Sequence, residues 1–473
     1  MNREKKLLKN TIIITIGKVC TQLITFFLLP LYTALLTTEE FGIVDLLNTL
    51  VSLLLPITTL ELEQALFREL IDARNNDTVK RKIISSGTLT VFFQLIVYLC
   101  LFLIISPFIK NSYKIFLATN VITYVILSMF QQISRGLGEN KKYAIGSFIT
   151  ALFTIVLNII LIVVFRFGAT GMLIGTMGGQ IIGIFYYLIS LKLFGYIVPS
   201  SFNKEILSKL LKYSVPLIPN AISWWVFNAS DRLIVSTVLG LSQNGILAAS
   251  LKFSAVYITL YNIFNMSWTE SISMAIKDKD IANYFNNMFT IVLKLFIALA
   301  VVIISLMPFV YPIMINKNYT MGYNLVPISI LASLFHVVVG LISVIYVANK
   351  NTKAIANTSI VSAIINIVVH LCLIKFTGLY AAVISSFTAY FIMSIFRIYD
   401  INKKYFKIII DLKLLIYSIT IIGISLFAYY LNNMIINGIM AIISIVFAIL
   451  INKNSMSIIL SLIKKRVKKK AEV

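Results

Sequence analysis

Six ionisable side chains stand inside stretches that are otherwise apolar: Lys18, Asp45, Asp231, Arg232, Lys252 and Lys294. A charge at the centre of a lipid-facing helix costs about 2.5 to 3.5 kcal/mol on insertion scales, so it persists where it meets a partner, a cavity or a ligand. Four of the six are cations. Lysine offers a compact hydrated charge and arginine a planar fork, and both match the oxygens of phosphate groups. Lys18, Arg232, Lys252 and Lys294 are therefore candidates for binding an anionic ligand, with a buried ion pair as the competing reading for each. Asp231 and Arg232 are sequence neighbours, about 100° apart on a helix, which directs them to different partners.

Other residues carry weaker signals. Arg68, Arg135 and Arg397 sit near the cytoplasmic ends of apolar runs, where a long side chain either reaches the headgroup layer or contacts a ligand. Glu61 and Glu63 lie near the exit of a helix and read as solvated or gating groups. Pro216 and Pro219 remove backbone donors at one end of a predicted helix and mark a kink or hinge. Gly171, Gly175, Gly179 and Gly183 line one helix face and read as a packing stripe. They lack the lysine of a phosphate loop. Trp224, Trp225 and Trp268 read as interfacial or packing residues before sugar-stacking ones. His336 and His370 are isolated, and Cys20, Cys100 and Cys372 all lie in apolar stretches. Nothing here assembles a nucleophile, a metal site or a nucleotide site. No metal, no cofactor and no enzymatic activity are expected.

The elements that must position these residues follow from composition. Hydrophobic residues make up 59% of the 473, only 12% are charged, and the mean hydropathy is +0.93. Such a chain folds in lipid, where runs of about 20 apolar residues span as helices because every backbone polar group must be satisfied internally. Spans are expected near residues 10–36, 41–66, 84–106, 115–134, 143–165 and 170–194, then 213–239, 245–269, 285–311, 323–348, 354–374 and 377–398, with a final pair near 412–431 and 434–452. The fold class is an all-α polytopic membrane protein of about fourteen transmembrane helices. The 41 lysines and arginines against 18 acids give a net charge of +23. They concentrate in alternate loops, which places both termini on the cytoplasmic side by the positive-inside rule and makes nucleic acid an unneeded partner.

Leu7, Leu8 and Lys9 recur as Leu210, Leu211 and Lys212, and Gly42 recurs as Gly245, each 203 positions later. Asn158 with Asn366 and Gly171 with Gly378 follow at similar offsets. The repeat predicts two parallel six-helix lobes, 1–200 and 201–400, followed by an extra helix pair, 401–455, and a basic cytoplasmic tail, 456–473. Asp45 lies about 6 Å, and Arg232 and Lys252 each about 10 Å, from the outer ends of their predicted helices at 1.5 Å per residue. Their matched depth nominates Asp45, Asp231, Arg232 and Lys252 as an outer gate, with Asp45 paired to Arg232 or Lys252.

Several motifs carry a family resemblance over nearly the whole chain. They are Leu60-Glu61-Leu62-Glu63-Gln64-Ala65-Leu66-Phe67-Arg68, Tyr213-Ser214-Val215-Pro216-Leu217-Ile218-Pro219 followed by Ser230-Asp231-Arg232-Leu233-Ile234, Arg135-Gly136-Leu137-Gly138, and Gly378-Leu379-Tyr380-Ala381-Ala382. The chain resembles the polysaccharide transporter family of the multidrug/oligosaccharidyl-lipid/polysaccharide exporter superfamily. That resemblance implies a flippase moving undecaprenyl-pyrophosphate-linked oligosaccharide repeat units from the cytoplasmic to the outer leaflet of the cell membrane by alternating access. The implied partners are the lipid-linked oligosaccharide, membrane lipids, and a polysaccharide polymerase and glycosyltransferases. A cation-coupled exporter of small amphiphiles is the alternative and calls for an acidic cavity. A membrane glycosyl polymerase or ligase is a third reading, against which the short exterior loops speak.

Overall fold

The computed structural model describes residues 26–108, 112–349 and 351–453. The expected sites Lys18 and Cys20, most of the first expected span and the basic tail lie outside them. Among the described residues there is no strand. The helices are α1 (Leu29–Leu35), α2 (Thr38–Thr59), α3 (Leu62–Asp72), α4 (Asp77–Ile105), α5 (Lys114–Gly136), α6 (Asn140–Ile159), α7 (Gly168–Ser190), α8 (Lys204–Ser214), α9 (Ile218–Val238), α10 (Leu241–Ala275), α11 (Ile281–Met314), α12 (Val326–Ala348), α13 (Thr352–Thr377), α14 (Tyr380–Lys404), α15 (Leu412–Leu431) and α16 (Met434–Ile451). Twelve described helices are long and apolar enough to cross a bilayer. The chain is a polytopic helical membrane protein.

Side chains that prefer caps set many of the helix starts. Thr37 and Glu40 form a reciprocal capping box at α2. The side chains of Asn76, Asn203, Asn351, Asp411 and Asn433 accept from the first free amides of α4, α8, α13, α15 and α16. Each cap satisfies a donor that hydrocarbon could not.

Two expected spans are subdivided. The segment expected as one helix over 41–66 is α2 and α3, separated at Leu60 and Glu61, whose φ values of 51° and 58° lie in the left-handed region. Neither residue is glycine, so the break strains the backbone. Pro56 stands one turn earlier inside α2 and withholds a ladder donor. The segment expected over 213–239 is α8, a single tight turn at Val215–Leu217, and α9. Pro216 lies in that turn and Pro219 in the first turn of α9, where its missing amide costs no ladder bond, so both prolines stand at the joint.

The chain divides into two compact units, Met1–Ala248 and Ala249–Val473, with the boundary inside α10. In the first, Leu62, Leu66 and Leu70 of α3 share a core with Ile84 and Val91 of α4 and Val125, Met129 and Ile133 of α5. Helices α6 and α7 pack along each other. A methyl carbon at Gly175, Gly179 or Gly183 of α7 would come within 2.1, 2.0 and 2.0 Å of side-chain oxygens of Asn158, Thr154 and Thr150 on α6. In the second unit α14 packs against α12 and α13, and α11 against α16. Trp268 of α10 donates to the Leu341 carbonyl of α12 at 3.1 Å, and the rings of Tyr323 and Tyr429 stack at 4.3 Å.

At Gly179 the methyl would also meet backbone, the Thr154 amide nitrogen at 2.6 Å. Gly179→Val is expected to destabilise the protein by about 1–3 kcal/mol through overpacking. Gly423→Val, where nothing lies within 4 Å, should leave the detergent-solution melting temperature nearly unchanged.

Candidate functional site

Helix α2 runs against α9 and the start of α10, and a polar seam joins them. Its densest point is a pair of glycines. A methyl carbon at Gly42 would stand 1.9 Å from the Leu241 carbonyl oxygen and 2.9 Å from the Gly245 nitrogen. A methyl at Gly245 would stand 1.9 Å from the Thr38 carbonyl oxygen and 2.9 Å from the Gly42 nitrogen. The two sets of contacts are reciprocal, and each residue maps onto its counterpart 203 positions away. The local geometry is thus that of a two-fold axis passing between Gly42 and Gly245. Thr38 and Ser242 share a hydroxyl hydrogen bond at 2.7 Å beside it, and Asn244 Nδ2 donates to the Gly42 carbonyl at 2.9 Å.

Further along the same seam Arg232 Nε lies 2.9 Å from Asp45 Oδ2, with side chains 22% and 15% exposed. The contact is close but lies outside hydrogen-bond alignment for that oxygen, so it acts as an ion pair in a poorly hydrated place. Trp225 Nε1 donates to the Thr49 carbonyl at 2.9 Å and to Ser52 Oγ at 3.1 Å, carrying the seam along α2. Asp231 is buried. The side chain of Trp224 lies outside the described residues.

Where α2 gives way to α3, Glu61 and Glu63 are both buried, Glu63 to 2% exposure. The two carboxyls are neighbours, and Thr59 Oγ1 accepts from the Glu61 amide at 3.2 Å while donating to the Leu55 carbonyl at 2.9 Å. Oε2 of Glu63 meets no hydrogen-bond partner among the described residues. Burial, and then the neighbouring Glu61 carboxyl, push Glu63 up to about 7. Burial raises Glu61 as well. One turn on, the Arg135 guanidinium stands 4.6 Å over the Phe67 ring and 5.7 Å over that of Tyr143. Arg68 pairs with Asp72 at 2.8 Å on an exposed surface, a geometry worth little in stability.

In the second unit Arg397 is buried to 2% exposure and enters no ion pair among the described residues. It donates to Thr358 Oγ1 at 2.7 and 3.1 Å, to Ser343, to Ser359 Oγ at 3.3 Å and to the Ile355 carbonyl, tying α14 to α12 and α13. Its donors are occupied by protein hydroxyls. Lys252 and Lys294 are half-buried on α10 and α11. His336 Nδ1 and Tyr390 OH are 2.9 Å apart. Among the described residues no three His, Cys, Asp or Glu side chains could hold a metal ion.

The structure therefore brings Asp45 and Arg232 together, sets Asp231 beside them in sequence, and leaves Arg68, Arg135 and Arg397 in three separate environments. Sequence reasoning passed over the Glu61–Glu63 contact, because hydropathy ends the span near them and gives no sign of burial. An apolar groove of about 540 Å³ between α2 and α4, lined by Leu54, Ile57, Phe93 and Tyr98 among others, has none of the charged candidates in its wall. A double-mutant cycle on Asp45→Asn and Arg232→Gln is expected to return a coupling energy of about 1 kcal/mol or more, above the range of an exposed pair. Additive losses in melting stability would assign the two side chains to independent roles.

The model of a family described as polysaccharide biosynthesis protein matches residues 7–268, more than half of the chain. Among solved structures the chain is similar to the lipid II flippase MurJ in an inward closed conformation, with a TM-score of 0.69 and 15% identity over 96% of this chain and 99% of that one. It is also similar to an inward-facing multidrug resistance MATE family transporter of the MOP superfamily, with a TM-score of 0.67 and 12% identity over 82% of this chain and 98% of that one. An outward-facing conformation of such a transporter gives 0.60 and 13%, over 84% and 94%. No curated protein matches the chain. At these identities the structural likeness is one of fold, while the family match rests on sequence: the chain belongs to the polysaccharide biosynthesis protein family.

Proposed function

We propose that the protein is a flippase that carries an oligosaccharide linked through pyrophosphate to undecaprenol from the cytoplasmic to the outer leaflet of the cell membrane. One observation carries this reading: a member of the polysaccharide biosynthesis family shares its fold, along almost its whole length, with a protein that flips lipid II. Cationic side chains in apolar helices support it, since a pyrophosphate crossing hydrocarbon needs compensating charge. On the expected orientation both termini are cytoplasmic, and the N-terminal ends of α2 and α10 lie outside. Glycosyltransferases and a polymerase would then supply and consume the cargo on opposite faces.

Arg232 and Asp45 give this reading a gate. With the pair made, the seam of α2 with α9 and α10 closes the outer side. Parting of the pair on the switch to an outward-open state frees Arg232 to face the cargo phosphates, an interaction that differs between the two states and so can shift their equilibrium. Lys252 and Lys294 belong to the same cationic path in this reading, as does Lys18. Pro216 and Pro219, at the joint of α8 and α9, serve as the hinge. The likeness to multidrug transporters favours a second reading, cation-coupled export of small amphiphiles, but the charged candidates are mainly basic.

Purified protein in liposomes is expected to move a polyprenyl-pyrophosphate oligosaccharide between leaflets without altering it. Obligatory hydrolysis or sugar transfer, or transport of cationic amphiphiles alone, would reject the proposal. Lys252→Gln with Lys294→Gln should weaken cargo binding about tenfold or more, the scale of two lost charge-assisted contacts, with membrane insertion intact. With the three native cysteines replaced, Asp45→Cys with Arg232→Cys should be joined by a short bifunctional thiol reagent. Joining should stop transport, and cleaving the linker should restore it. A joined protein that still transports at the full rate would sink the gate.

A further inference from the structure

Glutamate carboxylates accept hydrogen bonds and cannot donate them. Glu61 and Glu63 set two neighbouring carboxyls in one buried place, and two such carboxyls can meet in a hydrogen bond only where one of them keeps its proton. The surroundings favour that count. Glu63 is almost fully buried and its Oε2 lacks a partner, and neither carboxyl enters an ion pair among the described residues. A doubly ionised pair at this place would leave two negative charges without compensation, which is the situation that forces carboxylate dyads to share a proton.

Among the described residues, the elements packed against α3 supply no counter-ion to the pair. From α5, the Tyr124 phenol faces Glu63, and Arg135 is spent over the Phe67 and Tyr143 rings. From α8, Lys209 reaches Glu69, at 2.5 Å. From α4, Ile84 and Val91 fill the core there, while Lys80 pairs with Asp77 and Arg81 and Lys82 are exposed. From α2, Thr59 contributes a hydroxyl.

We propose that Glu61 and Glu63 form a one-proton binding site built into the joint between α2 and α3. The joint itself argues that the site is tied to a movement. Residues 38–72 span α2, the break and α3, and their counterpart 203 positions on, Leu241–Ala275, is one unbroken helix. The same length of chain is thus folded both ways in one molecule, and the broken copy is the one that buries the acids. Only the first copy has carboxylates at these positions; the second has Phe264 and Met266. Loss of the proton leaves two charges that water stabilises far better than the core does, so deprotonation drives Glu63 out of its burial and biases the joint toward a different form. The step is a simple exchange: the carboxyl O–H bond breaks, the proton goes to water, and the electron pair stays on the carboxylate.

The proposal is tested on the full chain in lipid nanodiscs, without cargo, so its outcome is independent of the transport reading. Infrared difference spectra are taken between about pH 5 and about pH 8, above the range in which ordinary carboxyls titrate. A protonated-carboxyl carbonyl band should be present at the acid end, disappear as pH rises through about 7, and be absent in Glu63→Gln. In Glu61→Gln the amide can donate to Glu63, so the band should move at least one pH unit lower. The folded chain holds this proton more tightly than the unfolded chain, so melting temperature should fall as pH rises from the usual glutamate range through about 7. Glu63→Gln should flatten that slope. No band at the acid end, a band unchanged in both variants, or its removal by sodium or potassium at constant pH would each overturn the proposal.

Discussion

At Gly42 and Gly245 two backbones approach so closely that neither position has room for a methyl group. This approach fixes much else in the first unit. It sets the register of α2 against the start of α10, and that register lets Thr38 meet Ser242 and Asn244 reach the Gly42 carbonyl. In hydrocarbon, helices gain little from burying apolar side chains against each other, and close packing with interhelical hydrogen bonds takes over as the source of association. The seam uses both. Arg232 and Asp45 meet further along it, where the backbone contact has already brought α9 alongside α2.

The reciprocity of the glycine contacts gives the sequence repeat a physical meaning. Two copies of one segment related by a two-fold axis can touch on that axis only through equivalent residues, and the smallest residue permits the closest approach. A glycine that recurs at the repeat distance is therefore suited to such a contact, and Gly42 and Gly245 approach each other reciprocally. Asn158 and Asn366, another repeated pair, are both nearly fully buried. Asn158 donates to Tyr32 OH and Asn366 to Ser386 Oγ. Both amides are thus buried and hydrogen-bonded.

Much of the fold was legible because lipid simplifies the code. Hydropathy marks a span by length alone, and the expected segments over 412–431 and 434–452 coincide with α15 and α16 to within a residue. The break at Leu60 and Glu61 was not legible, since left-handed backbone usually announces itself with glycine and here falls on leucine and glutamate. Arg397 was also opaque. Its position near a span end suggested a side chain reaching the headgroups, but hydroxyls of Thr358, Ser343 and Ser359 from two other helices enclose it. No local pattern records that convergence. Asp45 was partly legible: depth counted along the sequence set it level with both Arg232 and Lys252, and the ion pair in the structure is with Arg232.

The two units handle buried charge by opposite means. Arg397 in the second unit is surrounded by hydroxyl and carbonyl oxygens that accept from all three of its guanidinium nitrogens, so its charge is dispersed over neutral dipoles. Arg232 in the first unit meets the Asp45 carboxylate through a contact that is close yet poorly aligned for hydrogen bonding. An ion pair between two helices parts when those helices separate, whereas a charge held by four neutral groups on two other helices is released only by dismantling the packing. The arrangement of the ligands, more than the burial of the ion, separates a side chain that fastens a lobe together from one that can take part in a cycle.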